Sequence, residues 1–136
     1  MRSEHFNEKE LACRCGCSVN LATPELLTAL ELFRCLVGVP VTINSATRCV
    51  VHNRAEGGAP NSAHVRGLAA DVMVSGLTAA QLEAVARQVP TIQGIGRDDR
   101  KGYIHIDVRA DGPAEWCYGS DGKKVAYYPP TGEQNV

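Results

Sequence analysis

Strict alternation of apolar and polar residues in one short segment restricts the fold of this chain more than any other feature. The segment is YIHIDVR, residues 103–109. Its apolar members are Ile104, Ile106 and Val108, and its polar members are Tyr103, His105, Asp107 and Arg109. Successive side chains of a strand point to opposite faces of a sheet, so the segment predicts a strand with a core face and an ionisable face.

Two helices with clear end signals are predicted to cover the core face. In the first, residues 23–38, Thr23 suits the N-cap, Pro24 the first turn and Gly38 the C-terminal stop. In the second, residues 77–89, Thr78 and Gln81 form a capping box.

The remaining regular segments predict strands. They are residues 39–44, 68–74 and 91–96, the last forming a hairpin with 102–109 through the charged connection 97–102. Residues 46–63 read as a long polar loop of the kind that often carries function. The whole pattern predicts an α+β domain, with helices packed on one face of an antiparallel sheet.

Length and charge narrow the classes of protein. The 136 residues fit a single domain, with a Cys-rich N-terminal segment over 1–20 and a C-terminal tail over 120–136. A net charge of −1 argues against nucleic acid as a partner, and no apolar run predicts a membrane span. The polar N-terminus has no signal-peptide core, which predicts synthesis in the cytoplasm. Oligomeric state stays open.

Six cysteines need an explanation, and three of them lie in CRCGC, residues 13–17. Without a signal peptide, free thiols or a small metal site are favoured over disulfides. Cys-x-Cys is not the usual zinc-knuckle spacing, so reduced thiols near a surface turn are the preferred interpretation. A redox or metal-sensing role for this segment is the alternative.

The segment NSAHVRGLAAD, residues 61–71, brings His64 and Asp71 within reach of a common point. Gly67 lets the chain between them turn sharply. If strands 68–74 and 102–109 are neighbours, Asp71 and His105 share one surface. Three such ligands with an open fourth position make a catalytic zinc site. From spacing alone, a solvated sheet face with a surface histidine explains the same pattern.

Several motifs resemble those of the zinc D-Ala-D-Ala carboxypeptidase family, which includes L-alanyl-D-glutamate endopeptidases and shares its fold with the Hedgehog signalling domain. SAHVRGLAAD resembles the family's Ser-x-His-x-x-Gly-x-Ala-x-Asp motif, and NSATRCVVHNR its Ser-x-x-Arg segment. YIHIDVR and FNEKELACRCGC resemble the ending and the opening of small phage- and prophage-type members. The similarity spans roughly residues 6 to 116.

The resemblance implies a zinc-dependent hydrolase of peptidoglycan stem peptides, with zinc held by His64, Asp71 and His105. It implies that Arg48 binds a substrate carboxylate or carbonyl, and that Ser62 contacts substrate or orients the loop. It also implies action on the cell wall after release, which a separate membrane-permeabilising protein can provide for a phage-encoded enzyme.

One departure from the family pattern concerns the general base. Many members carry Glu-x-x-His, but Gly102 stands three residues before His105. Asp107 is the first candidate for the base, although it can equally orient His105 from behind. Asp99 and Asp98 are the next candidates, and His52 is a further candidate for the cleft lining. The missing Glu leaves a non-catalytic zinc-binding module of the same fold as the alternative.

Overall fold

The computed structural model describes residues 1–130 of the chain. Its helices are α1 (Glu8–Leu11), α2 (Pro24–Val37), α3 (Val50–Ala55) and α4 (Ala79–Ala86). Its strands are β1 (Thr42–Ser45), β2 (Ala69–Met73), β3 (Gly94–Asp98), β4 (Tyr103–Asp107), β5 (Ala114–Tyr118) and β6 (Lys124–Ala126).

The six strands form one sheet in the order β1-β2-β4-β3-β5-β6. Every neighbouring pair is antiparallel except β3 and β5, which are parallel. The α+β class is therefore confirmed, while the prediction of an antiparallel sheet is wrong at this pair. After β4 the chain reverses and passes the end of β3, so that β5 runs opposite to β4 and parallel to β3.

The hydrophobic core lies between the sheet and the helices α2 and α4. The apolar face of β4 supplies Ile104 and Ile106, both fully buried, and α2 supplies Leu30 and Phe33. The predicted end signals are confirmed for α2, because the Thr23 side chain accepts the amide of Leu26 and Gly38 is left-handed. The capping box at the start of α4 is also present.

Several segments differ from the sequence prediction, which named neither α1 nor β5. The long polar loop contains α3, whose N-cap is Cys49. The charged connection after residue 96 is shorter than expected, because Arg97 and Asp98 belong to β3. The segment from residue 120 onward contributes β6 to the sheet, and residues 131–136 of the expected tail lie outside the described part.

No helix in residues 1–130 combines the length and the apolar character needed to cross a membrane.

Candidate metal centre

The polar face of the sheet places Asp71 and His105 side by side. Strands β2 and β4 are antiparallel neighbours, and Asp71 lies directly opposite His105 in their register. The His105 Nδ1 atom is 3.2 Å from Oδ1 of Asp71. The two strands are therefore neighbours, which is the condition under which Asp71 and His105 were expected to share one surface.

His64 reaches the same point from the loop that precedes β2. His64 is buried, and its ring Nδ1 lies 2.7 Å from the carbonyl oxygen of Ala46. A carbonyl can only accept, so Nδ1 carries the proton and Nε2 presents a lone pair. Gly67 makes this turn possible, because its φ of 74° is left-handed and a Cβ would collide with the Leu21 carbonyl.

One ligand atom from each of His64, Asp71 and His105 lies within 4.8 Å of the other two. The His64 Nε2 atom is 3.2 Å from Asp71 Oδ1, but without hydrogen-bond geometry. Among the described residues this buried nitrogen has no hydrogen-bond partner. A buried lone pair without a donor is costly unless a cation binds it, so the three residues fit a metal ion.

Charge at this point also favours a cation. Burial tends to raise the pKa of Asp71, but the hydrogen bond with His105 and the nearby ring of His64 outweigh it and leave the pKa well below its usual range. Burial tends to lower the pKa of His105, but its contacts with Asp107 and Asp71 raise it overall. Two carboxylates flank one imidazole, and they stabilise either a proton or a metal ion beside it.

Asp107 lies behind His105 and not in the open cleft. Its Oδ2 is 2.7 Å from His105 Nε2, and the guanidinium of Arg109 binds both carboxylate oxygens at 2.8 Å. The carboxylate is fully buried. Burial tends to raise the pKa of Asp107, but the Arg109 and His105 hydrogen bonds outweigh it and hold the pKa well below its usual range. These contacts favour the orienting role over the role of general base.

Sequence reasoning missed the residues that complete this region. Trp116 of β5 packs against His105 with ring centroids 5.0 Å apart, and Arg109 clamps Asp107. Gly94 and Gly96 of β3 leave room for these groups, since a Cβ at either would collide with Asp107 or Trp116 respectively. Two glycines within a strand indicate that another group approaches closely, so the segment QGIG, residues 93–96, could have predicted these contacts.

A cleft of about 550 Å³ opens beside the three candidate ligands. The charged side chains that line it are Arg48, Arg66, Arg109, Lys123, Lys124 and Asp111. Cations therefore outnumber carboxylates along its wall, although the whole chain has a net charge of −1. Such a wall attracts anionic ligands.

Arg48 is held at the wall by its neighbours. Its Nη1 donates to Oδ1 of Asn53 at 3.1 Å, and Asn53 in turn donates to the Ala59 carbonyl at 2.8 Å. Gly58 allows this contact, because a Cβ there would collide with the Asn53 side chain. The guanidinium is thus oriented before any substrate arrives.

The other predicted residues lie in different surroundings. Ser62 lines the cleft, and its Oγ accepts the amide of His64 at 3.2 Å, which orients the loop. Asp98 accepts the amide of Lys101 in the β3–β4 turn, and Asp99 pairs with Arg97. His52 lies in α3 and is not among the residues that line the cleft.

The two buried imidazoles and the carboxylate can hold a metal ion beside an open cleft, an arrangement that metal-dependent hydrolases use. A family model described as Peptidase M15 matches residues 4–107. The chain belongs to the peptidase M15 family, whose members are zinc-dependent. Among curated proteins, none matches the chain.

Proposed function

We propose that the chain is a zinc-dependent peptidase that hydrolyses peptidoglycan stem peptides, either as a D-Ala-D-Ala carboxypeptidase or as an endopeptidase. The observation that carries the proposal is the convergence of His64, Asp71 and His105, with an unpartnered buried nitrogen, beside a cationic cleft. His2Asp is a ligand set suited to catalytic zinc, because it leaves a position open.

The charge of the cleft supports this substrate class. Stem peptides carry free carboxylates, both along the chain and at a terminal D-Ala. The cationic wall attracts them, and the guanidinium of Arg48 can bind one carboxylate through two parallel hydrogen bonds. The guanidinium of Arg48 makes one hydrogen bond to the described residues, through Nη1, which leaves its other nitrogens available for substrate.

Each residue of the site has a distinct role in the proposed reaction. A zinc ion bound there would supply the Lewis acidity that polarises the scissile carbonyl, and it would lower the pKa of water so that hydroxide is available as the nucleophile near neutral pH. His64, Asp71 and His105 would hold the ion, while Asp107 accepts the Nε2 proton of His105 and so leaves Nδ1 as the nitrogen that would bind the ion beside Asp71. Arg48 binds the substrate, and Ser62 keeps the loop that carries His64 in place.

A second candidate function is a non-catalytic zinc-binding module. It is favoured by two observations: Gly102 replaces the carboxylate that many relatives carry, and Asp107 has both oxygens engaged. Within the described cleft lining, Asp111 is the remaining carboxylate that can accept a proton.

Digestion of purified muropeptides, followed by mass spectrometry, tests the proposal. Wild type, His64→Ala and the matched control His52→Ala are compared after zinc loading. We expect product from wild type and His52→Ala and none from His64→Ala. Loss of terminal D-Ala identifies a carboxypeptidase, and cleavage within the stem identifies an endopeptidase. No product from zinc-loaded wild type on any common stem peptide would favour the non-catalytic module.

A further inference from the structure

Four cysteines gather about the N-terminal segment, apart from the cleft-lining residues. Cys13, Cys15, Cys17 and Cys49 are free thiols, and their sulfur atoms all lie within 4.8 Å of one another. Two separations are defined: Cys13 to Cys15 is 3.4 Å and Cys15 to Cys49 is 3.7 Å. Three of the four come from CRCGC, and the fourth comes from the start of α3.

These separations match a tetrahedral thiolate site. Four sulfur ligands at about 2.3 Å from a zinc ion lie about 3.8 Å from one another. A disulfide requires about 2.05 Å, well below both observed separations. Four cysteines whose sulfurs surround one point are therefore arranged as metal ligands are.

The backbone is shaped to hold the sulfurs in this position. Gly16 and Ser18 both have positive φ, at 91° and 66°, so the chain curls tightly around the cluster. The loop is closed by the Cys13 amide, which donates to the Val19 carbonyl at 2.7 Å. Ser18 is the one non-glycine residue with positive φ in residues 1–130, and such a conformation persists only where surrounding contacts enforce it.

Backbone amides support the sulfurs from outside. The Cys49 amide donates to Cys13 Sγ at 3.4 Å, and the His52 amide donates to Cys49 Sγ at 3.3 Å. Amide donors of this kind stabilise thiolates and orient them in metal sites. Arg14, between two of the cysteines, fixes the loop to β1 through the carbonyls of Ile43 and Asn44.

We infer that Cys13, Cys15, Cys17 and Cys49 bind one structural Zn²⁺ ion, distinct from the site at His64, Asp71 and His105. Soft thiolate ligands select zinc over the harder divalent cations. With four protein ligands the ion has no open position, so the site is structural and not catalytic.

We call the four cysteines the zinc clasp, and their position indicates what the bound ion would stabilise. Cys49 follows Arg48 directly in sequence, so the clasp ties the N-terminal segment to the wall of the cleft. Next to it, the Thr47 amide donates to the Leu11 carbonyl, and the Arg48 amide donates to the His64 carbonyl. The clasp therefore anchors the segment between β1 and α3, which carries Arg48 and contacts His64.

Metal content separates the two sites. Protein purified without chelator is measured for zinc per chain in wild type, in Cys15→Ser/Cys17→Ser, and in Cys35→Ser, an exposed thiol on α2, as control. We expect the double variant to lose one equivalent, and Cys35→Ser to lose none. Asp71→Asn should lose the other equivalent only. Equal zinc in wild type and the double variant would overturn the inference, whatever the outcome for peptidase activity.

Cobalt provides a second test that needs no folded variant. Thiolates bound to Co²⁺ give intense sulfur-to-metal charge-transfer absorption in the near ultraviolet, which a His2Asp site cannot produce. We expect this absorption when reduced wild type is loaded with Co²⁺ after chelation. Its absence, or a mass two hydrogens lower that reveals a disulfide in freshly purified protein, would contradict the clasp.

Discussion

At the scale of single residues, the metal centre depends on which nitrogen of each histidine carries the proton. The Ala46 carbonyl holds the His64 proton on Nδ1, and Asp107 holds the His105 proton on Nε2. The other nitrogen of each ring lies 3.2 Å from Oδ1 of Asp71, so the three ligand atoms already converge on one point. The groups behind the two rings thus select the nitrogen of each histidine that can bind metal.

Asp107→Asn should weaken zinc binding, because the amide cannot satisfy both His105 and the guanidinium of Arg109. We expect zinc affinity to fall about 10- to 100-fold, as for other residues that orient metal ligands. Competition with a chromophoric chelator measures it, and Asp111→Asn at the cleft is the control. Unchanged zinc affinity together with lost turnover would instead identify Asp107 as the general base.

Arg48→Lys should reduce kcat/KM without changing zinc affinity. A lysine cannot form the paired hydrogen bonds of a guanidinium, and the loss of one charged hydrogen bond corresponds to about 1.5–3 kcal/mol. The expected fall is therefore about 10- to 100-fold, measured with stem peptides. Arg54→Lys, outside the cleft lining, should behave as wild type. Equal kcat/KM for both variants would remove Arg48 from the binding site.

At the scale of elements, predictions succeeded where the signal was local. Thr23 and Gly38 mark the two ends of α2 through contacts within a few residues. The alternation in residues 103–109 predicted β4 with its two faces. The pairing of β5 with β3 was not predictable in this way, because it depends on the path of the chain around the sheet. The α3 helix was missed because Val50 and Val51 are weak helix formers.

The site was predictable to a similar degree. Asp71 and His105 were predicted from strand alternation, and His64 was predicted from its spacing to Asp71, with the family motif as further support. Trp116 contacts His105 across the sheet, and Arg109 binds the carboxylate of Asp107. Spacing in the sequence did not reveal either contact. Buried Arg97 was read as part of a turn because its partner, Glu83, lies on another element.

Gly67→Ala tests the turn that places His64. An alanine at a left-handed φ costs about 1–2 kcal/mol, and its collision with the Leu21 carbonyl adds about 1–3 kcal/mol. Gly76→Ala is the matched control, because Gly76 is left-handed and a Cβ there meets nothing within 4 Å. Denaturant unfolding of both variants measures the difference. Equal losses of stability would show that the contact with Leu21 does not matter.

At the scale of the whole molecule, one sheet separates two environments. Helices α2 and α4 close the apolar face, while the opposite face carries the metal centre. The fully buried Arg97 joins three parts of the chain, since it bonds Glu83 of α4, Asp99 of the turn and the carbonyl of Tyr128. Its side chain thus links the C-terminal segment to the core of the domain.

Arg97→Met should destabilise the domain by about 3–5 kcal/mol, because it leaves the buried carboxylate of Glu83 without a partner at this position. Arg87→Met is the matched control, since Arg87 also pairs with Glu83 but its side chain is 45% exposed. Because solvent screens the exposed guanidinium of Arg87, its pair with Glu83 should contribute only about 0–1 kcal/mol. Thermal unfolding measures the loss of stability in each variant. Similar losses in Arg97→Met and Arg87→Met would contradict a stabilising role specific to Arg97.

The most direct measurement of the central claim is zinc-dependent turnover of a stem peptide. The protein is stripped with a chelator, zinc is returned in steps, and products are quantified by mass spectrometry. We predict no product from stripped protein, recovery that follows zinc occupancy in wild type, and no recovery in Asp71→Asn. Undiminished turnover by stripped protein, or equal recovery in Asp71→Asn, would contradict a zinc peptidase centred on His64, Asp71 and His105.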